Sequence, residues 1–397
     1  MIQPLQLVLS LAATTLLLAA APDRTAIAGP AAVPKAADGY RLGPAATTAI
    51  DRLFAVPAHS PGYAVGIIKD GRFVYEKGFG LANLDDEVPI RPNTSFHLAS
   101  LSKQFTAAAI AVLILDHKLT LDDLVSTYVP ELAQLDPDLR VKHLVYMTSG
   151  LPEYTELPRT GGAPWVTFHY FTRDEAIDTV LKAGKLEFAP GTRWAYRNIN
   201  YMLLTKIVET ISHEPFARYM RENIFSPLGM THTEIDDDST EVIAHRATGY
   251  AARSDPHLAS ELDSVGIHIK PGKGWARLLR VSPHFGGSGV FSSLDDLLLL
   301  DRNWYSGALH GMAFTDLMNH REKFKHDKDN DAFGLVWRTR YQHPMLDYSG
   351  ADIDSSTYMA RFPDQHLTVI CLSNMPLGDA EGKAEALMDL LHAAGKL

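Results

Sequence analysis

Apolar and polar positions along this chain follow two different periods, and the switches between them outline the fold. "YAVGIIK" (63–69) and "RFVYEKGFG" (72–80) are β-rich runs around Asp70-Gly71, a dipeptide that favours a tight hairpin. "HLASLSKQFTAAAIAVL", from His97 to Leu113, changes character. After Gln104 it holds only Phe, Ala, Ile, Val and Leu with one Thr, the composition of a helix buried on all sides. "LTLDDLVSTYVPEL" (119–132) predicts a second, amphipathic helix. "TRDE", Thr172 to Glu175, forms a capping box ahead of the helical "AIDTVLKAG", and "NYMLLTKIVETI" again has helical spacing. From about Asp236 to Pro283 the pattern is irregular and predicts no particular element. The last third returns to short strands, "FGLVWRTR", "HPMLDYSG", "STYMARFP" and "LTVICLSN", before a closing helix in "GDAEGKAEALMDLLHAAGKL".

Short connections between such runs imply antiparallel neighbours. Strands at both ends with helices between them predict an α/β fold of the α+β type. Its antiparallel sheet is built from both chain ends and flanked by helices, with a mostly helical domain inserted. The expected boundaries are an export signal at 1–28, an Ala/Pro/Gly-rich linker at 29–44, the first part of the α/β domain at 45–118, the helical domain at 119–284, and the second α/β part at 285–397.

Composition narrows the classes. The chain has 397 residues, 46% of them hydrophobic, enough for a sizeable core. Its net charge of -10 argues against a nucleic-acid partner, which requires a basic face. The one cysteine, Cys371, lies in an apolar strand run and reads as a buried thiol. "LQLVLSLAATTLLLAAA" (5–21) carries no charge, and small Ala26 and Ala28 fit cleavage after Ala28, with Ala21 the alternative site. A periplasmic or secreted protein follows, with no membrane span in the mature chain. A retained anchor is the rival, although so short and Ala/Thr-rich a run is marginal for spanning.

Ser100 and Lys103 form an S-x-x-K element on one face at the mouth of the buried helix. A lysine that faces protein there must find a partner or lose its proton. "PGTRWAYRNINYMLL" places Tyr196-Arg197-Asn198 at a helix start, and "HPMLDYSGADID" ends a strand in Tyr348-Ser349-Gly350, followed by small Ala351. A serine, a lysine, a tyrosine and a strand with free backbone N–H groups are the parts of an acyl-transfer site.

With these motifs in their order, the chain resembles the serine β-lactamase and penicillin-binding-protein superfamily. The likeness is to its class C β-lactamase-like branch, which also holds D-alanyl-D-alanine carboxypeptidases, D-aminopeptidases and β-lactamase-fold esterases. "SFHLASLSKQFTAAAI", "LTLDDLVSTYVPEL", "MTSGLPEY", "PGTRWAYRNINYMLL", "GGSGVFSSLDDLLLLD" and "RFPDQHLTVICLSN" carry it, from about Gly62 to the end. The resemblance implies that Ser100 is the nucleophile, Lys103 and Tyr196 its proton-transfer partners, and Asn198 a group that orients Lys103 and the acyl amide. Tyr348, Ser349 and Gly350 fall on the third, substrate-binding element, and the Ala351 amide pairs with that of Ser100 as the oxyanion hole. Four positions depart from the pattern: Tyr348 stands where a Lys or His is usual, Met147 where a His is usual, and Asp354-Ser355 where Gly-Phe is common.

A neutral serine needs a nearby base, and either Lys103 or Tyr196 can take its proton. The expected protein is an exported serine hydrolase that opens a small ester, amide or peptide through a Ser100 acyl-enzyme. The esterase type is favoured because Tyr348 offers no charge to a substrate carboxylate. D-Ala-D-Ala carboxypeptidase, β-lactamase and a catalytically silent sensor or binding protein are the alternatives. No metal or cofactor is expected. "DKDND" from Asp327 lacks the Gly and Glu of a calcium loop, and the 17 His residues show no H-E-x-x-H spacing. "GGSGV" (286–290) is expected as a turn lining the site. Oligomeric state is left open.

Overall fold

A computed structural model describes residues 40–397 apart from 160, 161, 163, 164, 166–168, 265–267, 271, 279, 284, 322–329 and 377. The expected export signal, the linker as far as residue 39 and the start of the "DKDND" segment lie outside the described residues.

The central sheet has seven strands, drawn from both ends of the chain. Strands β1 (Tyr63–Lys69) and β2 (Arg72–Phe79) come from the N-terminal part. From the C-terminal part come β3 (Asn330–Ala332), β4 (Leu335–Arg340), β5 (His343–Asp352), β6 (Ser355–Phe362) and β7 (Leu367–Ser373). They lie in the order β3-β4-β5-β6-β7-β1-β2, every pair antiparallel, so the chain's two ends meet where β7 pairs with β1. Asp70 and Gly71 both take positive φ in the first hairpin, as the two central residues of a tight turn require.

Alternation along the strands sends side chains to two cores. Val65, Ile67, Val369 and Cys371 pack with helices α1 (Pro44–Leu53) and α5 (Ala380–Ala393) on one face. Ala64, Ile68, Ile370 and Leu372 face the larger core, which contains α2 (Lys103–Leu115), α3 (Asn198–Ser212) and α4 (Leu294–Ser306). Every residue of α2 from Lys103 to Leu113 is buried. Cys371 is likewise enclosed.

The segment 119–132 corrects one expectation. It forms no α-helix; two 3₁₀ turns, Val125–Thr127 and Pro130–Gln134, take its place. Pro130 lacks an amide hydrogen and stops a helix from running through. Asp123 bonds both the amide and the hydroxyl of Thr120, a local alternative to helix. The irregular stretch after Asp236 contains a strand pair, Gly249–Ala252 with Trp275–Leu278. Phe96–His97 and Glu234–Ile235 flank Val290–Ser292 in a separate three-stranded sheet. Both sheets are built from strands of two to four residues, too short to show a period.

Candidate active site

Ser100 precedes α2, in a 3₁₀ turn from Ala99 to Ser102, and the amide of Lys103 closes on the Ser100 carbonyl. Side chains three apart eclipse in 3₁₀ geometry, so Lys103 stands directly beside the Ser100 hydroxyl. Ala99 enters the turn at φ 49, a left-handed conformation that costs a non-glycine residue on the order of 1 kcal/mol. The turn is braced from the sheet. Thr357 on β6 donates to the Leu98 carbonyl at 2.7 Å, and β5 passes so close that a Cβ on Gly350 would lie 2.2 Å from that same oxygen. Glycine at this place in the third element is a steric requirement.

Around Ser100 the structure brings three motif residues together. Its Oγ lies 2.7 Å from the Tyr196 hydroxyl and 3.1 Å from Lys103 Nζ. Lys103 is fully buried, and Nζ also donates to Asn198 Oδ1 at 2.9 Å and to the Gly287 carbonyl at 2.7 Å. The lysine has therefore found three partners, and its nitrogen sits 4.8 Å from the centre of the Tyr196 ring. The Tyr196 hydroxyl also reaches Asn198 Oδ1 at 3.5 Å. Asn198 opens α3, and its amide donates to Glu153 Oε2 at 2.5 Å. Burial pushes the Glu153 carboxyl up to about 7, against the pull of that amide and of the Lys103 and Arg197 charges.

The third element borders this cluster as a sheet edge. The β4 ladder covers only His343 to Asp347 of β5, whereas β6 pairs with Leu346 to Asp352. Among the described residues, no strand pairs with this edge of 348–352. A cavity of about 310 Å³ lies over it. It is lined by Ser100, Met147, Trp194, Tyr196, Val336, Arg338, Asp347, Tyr348, Ser349, Ala351, Tyr358 and Glu381. Gly350 is turned toward the Ser100 turn and does not line the cavity.

The "GGSGV" stretch does adjoin the site, but through its backbone: Gly287 holds Lys103 and Gly286 accepts from Thr106 at 2.8 Å. The sequence placed Gly287 in a turn lining the site but not its carbonyl on Lys103, and it missed Glu153, Trp194 and Arg338. Glu153 acts on the site from a separate segment, and only "SGLPEY" within the matched stretches could have drawn attention to it.

A helix-flanked antiparallel sheet with a helical insert and a Ser–Lys–Tyr cluster at the mouth of a buried helix is the architecture of the β-lactamase-fold serine hydrolases. The chain belongs to the Beta-lactamase family, whose sequence profile matches residues 50–394. A candidate D-alanyl-D-alanine carboxypeptidase of Escherichia coli K12 is 27% identical over 348 residues, covering 80% of this chain and 79% of that one. A D-aminopeptidase of Gluconobacter oxydans is 29% identical over 250 residues, 62% of this chain and 43% of its own length. Among solved structures, the octameric penicillin-binding protein homologue from Pyrococcus abyssi superposes with a TM-score of 0.70 at 25% identity, over 85% of this chain and 74% of that one.

Proposed function

We propose that this chain is an exported hydrolase that opens small esters, amides or peptides through an acyl-enzyme on Ser100, with uncharged esters turned over best. One observation carries the reading. Two of the three outward directions of Lys103 Nζ are fixed by Asn198 Oδ1 and the Gly287 carbonyl, and the third points at Ser100 Oγ. A neutral amine in that setting donates its two N–H bonds to the fixed acceptors and turns its lone pair to the serine.

The reaction then runs in balanced steps. Ser100 Oγ attacks the substrate carbonyl carbon, and its proton passes to Lys103 or to the Tyr196 oxygen. The carbonyl π pair becomes an oxyanion, held by the backbone amides of Ser100 and Ala351. Collapse breaks the bond to the leaving alcohol or amine, which carries the proton away. Water repeats the sequence on the acyl-enzyme and frees the acid.

Specificity follows from the cavity rim. Met147, Trp194 and Val336 offer apolar surface to an acyl or leaving group. Arg338 is the cation of the lining, but it arrives with two carboxylates, Asp347 and Glu381, and its Nε lies 3.5 Å from Asp347 Oδ1. The lining is negative on balance and suits substrates without a carboxylate. A second reading, carboxypeptidase action, is favoured by Arg338 itself and by the name of the Escherichia coli relative. Export rests on the uncharged 5–21 stretch and on Ala26 and Ala28.

The test is covalent. A fluorophosphonate probe is expected to add its mass to the peptide containing Ser100, and Ser100→Ala to abolish both labelling and ester turnover. An active preparation labelled elsewhere, or on no serine, overturns the assignment.

A further inference from the structure

His97 lies three residues before Ser100 and is buried, with both ring nitrogens engaged. Nδ1 is 2.7 Å from Asp354 Oδ1, and Nε2 is 2.8 Å from Ser288 Oγ. Ser355 Oγ stands 3.4 Å from Nδ1. The ring stacks on Phe291, its cross-strand partner, with centroids 5.2 Å apart. Asp354 and Ser355 are the residues that replace the common Gly-Phe of the family, and in this chain both converge on one histidine.

The arrangement joins three segments of the site. Asp354 lies in the turn that follows the substrate-binding strand β5. His97 leads into the nucleophile turn. Ser288 follows Gly287, whose carbonyl holds Lys103 Nζ at 2.7 Å. Since Asp354 accepts from Nδ1–H, a neutral ring presents a bare Nε2 that accepts from the Ser288 hydroxyl. Other charges face the ring's surroundings: Asp352 beside Asp354, and Arg280, which pairs with Asp236 at 2.9 Å.

We propose that His97 is a positioning residue for Lys103: the Asp354–His97–Ser288 chain fixes the Gly287 carbonyl, and that carbonyl aims the lysine nitrogen at Ser100. The proposal rests on the acyl-enzyme reading, in which Lys103 works on the serine proton. It takes two readouts on the full chain to test. The first is the rate of Ser100 labelling by a fluorophosphonate across pH. The second is the NMR titration curve of the Lys103 side chain in ¹³C-lysine protein, which does not depend on labelling.

Ser288→Ala removes only the hydroxyl. It should slow labelling about tenfold, the worth of one hydrogen bond, and displace the Lys103 titration curve, with KM for a chromogenic ester little changed. The two amide replacements of the histidine separate its two bonds. His97→Asn places its NH₂ near Nδ1 and loses the Ser288 contact; His97→Gln reaches the Nε2 position and keeps it. Gln should therefore retain more of the labelling rate than Asn, whatever the order of their melting temperatures. A Ser288→Ala protein with wild-type labelling and a wild-type Lys103 curve overturns the proposal, as does an Asn variant that labels as fast as the Gln variant or faster. If wild-type protein does not label at Ser100, the acyl-enzyme reading fails, and the Lys103 curves of the variants still decide the positioning role.

Discussion

The floor and the rim of the cavity obey different rules. On the floor, Ser100, Lys103, Tyr196 and Asn198 keep the family's residues, and a hydrogen bond of 3.1 Å or less links each to another member or to fixed backbone. At the rim, Met147 and Tyr348 depart from the pattern, and Arg338, Asp347 and Glu381 join them in the lining. Proton transfer depends on the direction of each lone pair and N–H, so one altered atom disrupts its neighbours. Recognition depends on net charge and shape, which several residue sets can supply. The Asp354-Ser355 departure, buried as Met147 also is, comes with a buried histidine that bonds both residues.

The largest test of this contrast acts on the floor. Lys103→Ala and Tyr196→Phe should each lower kcat by about 10²–10⁴-fold, the usual worth of a positioned acid or base. The double variant should lose little more than the worse single one, because groups that act as a unit are not additive. Stopped-flow or steady-state kinetics on one ester suffices. Near-wild-type kcat in either single variant breaks the floor as a unit.

A smaller effect separates floor and rim through pH. Glu153 lies beneath the floor with its carboxyl pushed up to about 7, above its ordinary 4.5. Its contribution to stability is therefore full below about 4.5 and is lost as pH rises through 7. The loss is on the order of 3 kcal/mol by pH 8. Glu153→Gln keeps an oxygen for the Asn198 amide and removes this dependence, so the variant should gain on wild type between pH 5 and pH 8 in urea denaturation. Parallel curves for the two proteins would refute the account. Asp354 behaves in the opposite sense. Burial disfavours its charge, yet His97, Arg280 and Arg246 hold it down at about 2. Its contribution is present above about 4 and lost as pH falls toward 2.

These differences also mark what the sequence could reveal. Asp70-Gly71, the uniform apolar run after Gln104 and the Thr172 cap act through neighbours in the chain, and the structure has the hairpin, the buried helix and a cap in which Thr172 accepts from the Glu175 amide. The 119–132 segment misleads because its helical spacing coexists with Pro130. Ser100 and Lys103 were legible as a pair because one turn joins them. The contacts of His97, Gly287 and Glu153 were not, since their partners lie 257, 184 and 45 residues away. Nothing local distinguishes a histidine that will meet Asp354 from one in an ordinary strand.

The smallest effect, and the sharpest for the rim, concerns Tyr348. A phenol offers a substrate carboxylate a neutral hydrogen bond, worth about 0.5–1.5 kcal/mol, where a cation offers about 1.5–3. The difference of about 1–2 kcal/mol corresponds to about five- to thirtyfold in kcat/KM. Tyr348→His should raise kcat/KM for a carboxylated amide relative to a neutral ester by that factor, most clearly at a pH where the histidine is charged. Arg338 supplies the control. If its charge is spent on Asp347 and balanced by Glu381, Arg338→Ala should change both substrates alike. If Arg338 itself grips the carboxylate, wild-type enzyme should already prefer D-Ala-D-Ala peptides or penicillins, and Arg338→Ala should lose that preference selectively. That outcome would replace the ester reading with the carboxypeptidase one while leaving the floor, and the chemistry assigned to it, in place.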